Sequence, residues 1–287
     1  MQRPDTILMA RLDKLYGKFD NSFLDSDPIC FVHGFKTKRD KEVAGLISSS
    51  LAYGQVSQIK KTLSKVFDAC EWKPYEFAVN FKPNDVKAFG AMKHRFNDAR
   101  DIACLFNFIG EMIRSHGSIE NFFMVGFSEE QQNIKEALES FSLRTLALNS
   151  KGIYGGKKLP KKAGVRFFFP RPSDGSACKR LNLYLRWMIR KDDGVDFGLW
   201  KKIPTDKLII PLDTHIARIS GNLGLTKKKT PGWAMAEDIT THLKGFNKED
   251  PVRYDFALSR LGILDKCPKK MNKVKCASCL IKDICVL

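Results

Sequence analysis

The stretch Leu208–Leu225, LIIPLDTHIARISGNLGL, decides how the rest of the chain is read. Leu208-Ile209-Ile210 is an apolar run that passes through Pro211-Leu212 into Asp213-Thr214-His215. Beyond it, Ile216, Ile219 and Leu223 recur at helical spacing. A carboxylate therefore stands where a buried segment ends and a helix begins. Asp213 reads two ways from this position. It can cap the helix by accepting hydrogen bonds from the first free N–H groups. It can also face a cleft and do electrostatic or acid/base work.

Working outward, nearly every other segment carries the same 3.6-residue period. Leu8, Leu12, Leu15 and Phe19 stripe a first helix, with a break at Asp25-Ser26-Asp27-Pro28. Val43, Leu46, Ile47 and Leu51 mark a second helix, and Val56, Ile59, Leu63 and Val66 a third, with a Gly54-Gln55 corner between them. Lys73 to Asn97, interrupted by Pro74 and Pro83, predicts short helical turns. Ile102, Leu105, Phe106, Ile109 and Ile113 form a clear helix that stops at Gly117. Ser128-Glu129-Glu130-Gln131 has the form of a capping box opening a helix through Ile134, Leu138 and Phe141.

Ser150 to Ser176 is irregular. Its Lys151–Lys162 portion is a flexible basic loop, and Phe167-Phe168-Phe169-Pro170 reads as core packing. Leu181, Tyr184, Leu185 and Met188 define a helix starting near Ser176 and stopping at Gly194. Thr230-Pro231 and Asp250-Pro251 have the composition of cap and first-turn pairs that open two further helices. No period-2 strand pattern stands out, so the expectation is an all-α fold of about ten helices in two lobes.

Composition narrows the partners. Lys and Arg outnumber Asp and Glu by 49 to 32, a formal charge of +17, which favours a polyanion such as nucleic acid. No apolar run is long enough for a membrane span, and the amphipathic N-terminus lacks the apolar core of a signal peptide. A cytoplasmic, nucleoid-associated monomer with no membrane attachment is the resulting expectation. Of the eight cysteines, Cys267, Cys276, Cys279 and Cys285 crowd the end of the chain as C-x8-C-x2-C-x5-C. In a reducing compartment such a cluster reads as a metal site, iron–sulfur or zinc. Lys269, Lys270, Lys273 and Lys275 lie in the same loop and would meet phosphates.

A second constellation precedes Asp213. Pro172-Ser173-Asp174-Gly175-Ser176-Ala177-Cys178-Lys179-Arg180 is a Gly-containing corner that opens a helix. Its free N–H groups favour phosphate, which marks Gly175, Ser176 and Arg180 as candidate contacts. Lys179, in the first turn, is disfavoured as an ammonium by the helix dipole, and a partly neutral Lys is a potential nucleophile. The bland alternative makes Lys179 and Arg180 ordinary surface cations.

These residues carry a resemblance. The Asp213 segment resembles V-D-T-H-[IV]-x-R-[IV] of the endonuclease III-like, helix-hairpin-helix (HhH-GPD) DNA glycosylases, in which this Asp is catalytic. In that superfamily the hairpin L-P-G-[IV]-G-x-[KR]-x-A supplies a catalytic Lys. Gly175 and Lys179 match its Gly–x3–Lys core, whereas Ser173-Asp174 replaces Leu-Pro and Ala177 replaces the second Gly. The longer separation of Lys179 from Asp213 is more similar to the archaeal 8-oxoguanine glycosylases. Ser48-Ser49-Ser50-Leu51-Ala52-Tyr53-Gly54-Gln55 resembles the L-S-x-Q corner whose Gln fills the space left by a flipped base; Gln55 or Tyr53 would take that part. The terminal cysteines resemble the C-x6-C-x2-C-x5-C of a [4Fe–4S] site, with the first gap two residues longer here. The resemblance spans about residues 36 to 287 and is strongest from Gly175 to Cys285.

Taken whole, the chain is most similar to an uncharacterised branch of the superfamily, the DUF2400 family. The resemblance implies a central six-helix-barrel-like lobe at 36–190. It implies a second lobe made of 1–35 and 191–287, with the metal loop at 267–285. It further implies excision of a damaged base from double-stranded DNA in base excision repair, with AP-lyase activity through a Lys Schiff base. A non-catalytic nucleic-acid-binding protein and an RNA-directed enzyme on the same scaffold remain open.

Overall fold

The computed structural model describes residues 3–156, 158–265 and 267–286; Lys157 of the basic loop lies outside them. Among the described residues the chain is mostly helical, with almost no strand. The first element, α1 (Arg3–Lys18), buries Leu12 and Leu15. A short α2 (Ile29–His33) follows, and then α3 (Lys38–Ser50), capped by Thr37, whose Oγ1 accepts from Asp40 N at 3.0 Å. Next come α4 (Val56–Ala69), α5 (Pro74–Asn80) and a minimal antiparallel hairpin, β1 (Lys93–His94) with β2 (Asn97–Asp98). The hairpin is the one departure from an all-α reading among the described residues.

Asp98 then caps the long α6 (Ala99–His116) in a reciprocal box with Asp101, and Gly117 ends it at φ 82°. The chain continues through α7 (Ile119–Met124), α8 (Lys135–Leu146), the single turn α9 (Lys151–Tyr154) and α10 (Lys179–Ile189). It closes with α11 (Thr214–Asn222), α12 (Trp233–Lys244), α13 (Asp255–Ile263) and the short α14 (Lys273–Ala277). No helix among the described residues is long and apolar enough to cross a membrane.

Two sets of packed helices organise the chain. In one, α3 is the hub: it is buried from Glu42 to Ser50 and packs on α2, α5 and α10. The approach of α10 is close at Gly45, where a Cβ would lie 2.8 Å from Met188 Cε and 3.1 Å from Tyr184 Cε2, so the side chains of α10 would have to shift. From α5 the packing continues to α6, α7 and α8. In the other set, α13 packs between α1 and α11, and α12 leans on α11.

Four predicted boundaries move. The Ser128 box does not open α8. Ser128 Oγ accepts from Glu130 N in a tight turn, and Asn133 Oδ1 instead accepts from Lys135 N at 2.9 Å as the helix begins. Thr230-Pro231 gives way to Gly232 as the cap of α12, and Asp250-Pro251 to Tyr254 as the cap of α13. The Asp250 carboxylate is occupied by Arg190, whose Nε donates to both of its oxygens at 3.1 and 2.9 Å. Finally, α10 ends at Ile189 rather than Gly194, because Arg190 turns to extended backbone.

Candidate active-site cleft

A cleft of about 760 Å³ lies where the N-terminal ends of α10 and α11 meet the Ala52–Val56 corner. Both Lys179 and Asp213 line it. Lys179 is the first residue of α10, and its Nζ donates to Ala52 O at 3.0 Å. Burial lowers its pKa from the ordinary lysine value, opposed first by the charge of Asp213 and then by Asp27 and Asp255. The sequence leads one to expect a depressed amine from the helix dipole; in the structure desolvation is the leading cause.

Asp213 both caps α11 and lines the cleft. As the cap of α11 it accepts from His215 N and Ile216 N, each at 2.8 Å and each through Oδ1. Among the described residues Oδ2 receives no hydrogen bond. Two charge-assisted bonds to Oδ1 therefore fix the carboxylate and leave Oδ2 free.

The cleft floor is a buried ionic network that the sequence did not announce. Arg186 pairs with Asp196 at 3.1 Å and with Asp255; Arg260 pairs with Asp27 at 2.8 Å. Arg190 extends the network to Asp196 at 2.8 Å and Asp193 at 2.7 Å. Burial pushes the Asp255 carboxyl up to about 6 against the pull of Arg186. For Asp27, burial acts upward too, but Arg260 and Arg186 outweigh it and hold the carboxyl below its usual range. The available signal was Arg186 within Leu181–Ile189: a guanidinium in an apolar helix must find carboxylates.

Of the remaining residues of interest, Gln55, Tyr53 and Arg180 line the cleft, whereas Gly175 and Ser176 do not. Gln55 is exposed and lines the cleft as the residue before α4. Tyr53 also lines it, but its hydroxyl is bound, donating to His94 O at 2.8 Å and meeting Asn97 Oδ1 at 2.5 Å. Burial raises the Tyr53 phenol to about 12. Gly175 is exposed with φ 75°, and its carbonyl accepts from Trp233 N at 3.2 Å. Ser176 Oγ accepts from Cys178 N at 3.1 Å. Arg180 is buried rather than presented to solvent: its guanidinium donates to Ser50 O at 3.1 Å and to Phe167 O, and lies 3.8 Å from the Phe167 ring centroid. It is a clamp between α10 and its neighbours, not an open phosphate contact.

A protein family described as "Protein of unknown function (DUF2400)" matches residues 27–264, which takes in every residue lining this cleft except Ser26. The chain belongs to the DUF2400 family. No curated protein and no solved structure matches it.

The four terminal cysteines lie beyond the DUF2400 match. Cys267, Cys276, Cys279 and Cys285 line one cavity of about 380 Å³, with Ile281 buried against the body of the protein. None is in a disulfide. Among the described residues no three His, Cys, Asp or Glu side chains stand in a metal-binding arrangement. The donor set itself, four thiols around one cavity, is chemically suited to a soft or borderline metal. Lys269, Lys270, Lys273 and Lys275 are all exposed on the loop that carries them.

Proposed function

We propose that this DUF2400 protein is a DNA glycosylase of base excision repair, with AP-lyase activity. The observation that supports it best is one cleft lined by a lysine of depressed pKa and a capped carboxylate with a free oxygen. On this reading the cleft receives a nucleotide turned out of duplex DNA. The glycosidic bond breaks, the base departs with the electron pair, and positive charge develops on the sugar. Asp213 stabilises that charge. Neutral Lys179 forms the new bond from its Nζ to C1′, loses a proton, and yields a Schiff base as the sugar ring opens. On this reading Gln55 would occupy the space vacated in the stack, and Gly175 and Ser176 would approach the backbone outside the cleft.

The proposal extends to the C-terminal loop. Cys267, Cys276, Cys279 and Cys285 would hold a [4Fe–4S] cluster, or zinc. Either group would act as a clip that pins the loop and presents Lys269, Lys270, Lys273 and Lys275 to phosphates. The two sets of packed helices would correspond to the two lobes, 36–190 and the remainder, with the cleft between them.

Duplexes each carrying one deaminated, oxidised or alkylated base provide the test. The expected result is strand nicking on at least one of them. Asp213→Asn should lower turnover by about 100-fold or more. Its stability should change by no more than about 1 kcal/mol, because Asn is also a good cap. Binding without excision of any base would favour a non-catalytic protein, and preference for structured RNA would favour an RNA-directed relative.

A further inference from the structure

The hairpin between β1 and β2 exposes an aromatic surface beside the cleft. Its turn is only Arg95-Phe96, with Lys93 paired to Asp98 and His94 to Asn97. Phe96 is 69% exposed and Phe167, from the irregular segment before α10, is 40% exposed. Phe168 and Phe169 are buried, so the predicted core role of this run stops short of Phe167. The two exposed rings meet edge to face with centroids 5.8 Å apart. Both adjoin Tyr53: Phe96 lies parallel to it at 6.3 Å and Phe167 edge-on at 4.9 Å.

Cations frame the three rings. Arg95 stands 5.1 Å from the Phe96 centroid and Arg180 stands 3.8 Å from that of Phe167. Tyr53, Arg95 and Arg180 all line the cleft that holds Lys179, so the aromatic surface is continuous with its mouth.

The surface is held firmly from below. His94 is buried, with Nδ1 3.0 Å from Thr62 Oγ1 and Nε2 3.1 Å from Tyr53 O. Asn97 is fully buried and donates to Gly164 O at 2.8 Å and to Asp101 Oδ2 at 3.1 Å. Gly54 has φ 98°, and a Cβ there would come within 3.0 Å of Arg95 Cδ, so the corner before α4 and the hairpin tip are built against each other.

Single exposed apolar residues are ordinary on protein surfaces. Adjacent exposed aromatics bearing guanidinium groups, fixed by a buried network at a cleft mouth, form the arrangement on which nucleobases stack. The geometry points to a base-stacking platform, made of Phe96 and Phe167 on Tyr53, for an unpaired base of a DNA strand. That base is the one left without its partner when a nucleotide is turned into the cleft. Exposed Lys93 and Arg95 would meet its flanking phosphates, in keeping with the net charge of +17. The assignment of the strand to DNA rests on the function proposed above; the stacking surface does not.

The test uses the full chain and a duplex with a reduced abasic site opposite 2-aminopurine. This DNA has no base to excise at that site, so binding is read without turnover. Wild-type protein should change the 2-aminopurine fluorescence. Phe96→Ala should weaken binding to this duplex by about 5- to 100-fold, the range spanned by base–aromatic stacking. Affinity for intact duplex and the salt dependence should stay unchanged, and Phe96→Trp should restore the wild-type behaviour. Phe167→Ala should act in the same direction. Equal losses on both duplexes, or no loss on the abasic one, would overturn the platform. Tighter capture of an unpaired RNA base would overturn its assignment to DNA. A Phe96 effect without excision by the wild type would refute the glycosylase alone; excision without a Phe96 effect would refute the platform alone.

Discussion

The cleft floor and the C-terminal cysteine loop are both rich in polar groups, yet they are held by opposite means. Arg186 and Arg260 on the floor, and Arg190 behind it, are each at most 3% exposed, and every one faces carboxylates. Their ion pairs lie within the protein, and Arg186 with Asp255 ties α10 to the start of α13, while Arg186 Nη2 and Arg260 Nε make no hydrogen bond among the described residues. On the loop, Val274 is 83% exposed, Val286 76% and Met271 65%. Its ties to the body are few: buried Ile281, the Val286 N to Asn222 O bond of 2.9 Å, and surface pairs such as Lys18–Asp265 at 2.8 Å. Exposed ion pairs contribute at most about 1 kcal/mol each. The floor is thus held by ion pairs within the chain, whereas the loop is held by few contacts and, on the function proposed above, would be pinned by a bound metal.

The largest expected effect tests the first half of that contrast. Arg186→Met leaves Asp255 without its pair and takes one partner from Asp196. It should cost about 3–5 kcal/mol, measured by urea unfolding, because a lone buried charge is left behind. A cost no larger than that of breaking a surface pair would mean that water reaches the floor and the network is not a support.

The second half predicts a smaller, confined effect. Cys276→Ser, or removal of metal by a chelator, should speed amide exchange over residues 267–286 while α3, α6 and α10 keep their protection. Uniform loosening would make the loop part of the cooperative core and erase the contrast. Protein purified without oxygen should carry iron and sulfide on this site, or a single zinc.

The smallest effect concerns binding alone. Replacing Lys269, Lys270, Lys273 and Lys275 by Gln should leave stability and base preference unchanged. The slope of log affinity against log salt should flatten by up to about 3.6, or 0.9 for each phosphate that is no longer neutralised. An unchanged slope would place the DNA-binding face elsewhere on the +17 surface.

What the sequence disclosed follows the range of the interactions involved. Asp213 as the cap of α11 was legible because a cap is a matter of three adjacent residues, and Gly117 ended α6 for the same reason. Lys179 could be placed in the first turn of α10 from the Gly175 corner. Asp250 misled because its carboxylate is claimed by Arg190, 60 residues away. The floor was invisible for that reason too: Asp27 and Arg260 meet across 233 positions of sequence. Arg180 was legible as a cation but not as a buried one, since its acceptors are carbonyls that carry no sequence signal. Phe96 and Phe167 became one surface only through the folding of two separate loops.

The cleft's central claim is that Lys179 is the nucleophile and Asp213 its partner. Borohydride trapping on a duplex that the protein nicks tests it most directly, followed as a function of pH. Wild-type protein should give a covalent adduct with DNA, and the rate should rise as Lys179 loses its proton, below the ordinary lysine range because burial lowers its pKa. Asp213 is the largest charge supporting the ammonium, so in Asp213→Asn the profile should move further to the acid side even as the rate falls. Lys179→Gln should give no adduct while still binding the duplex. An adduct from Lys179→Gln at the wild-type rate would contradict the account and make Lys179 a structural residue that tethers α10 to Ala52.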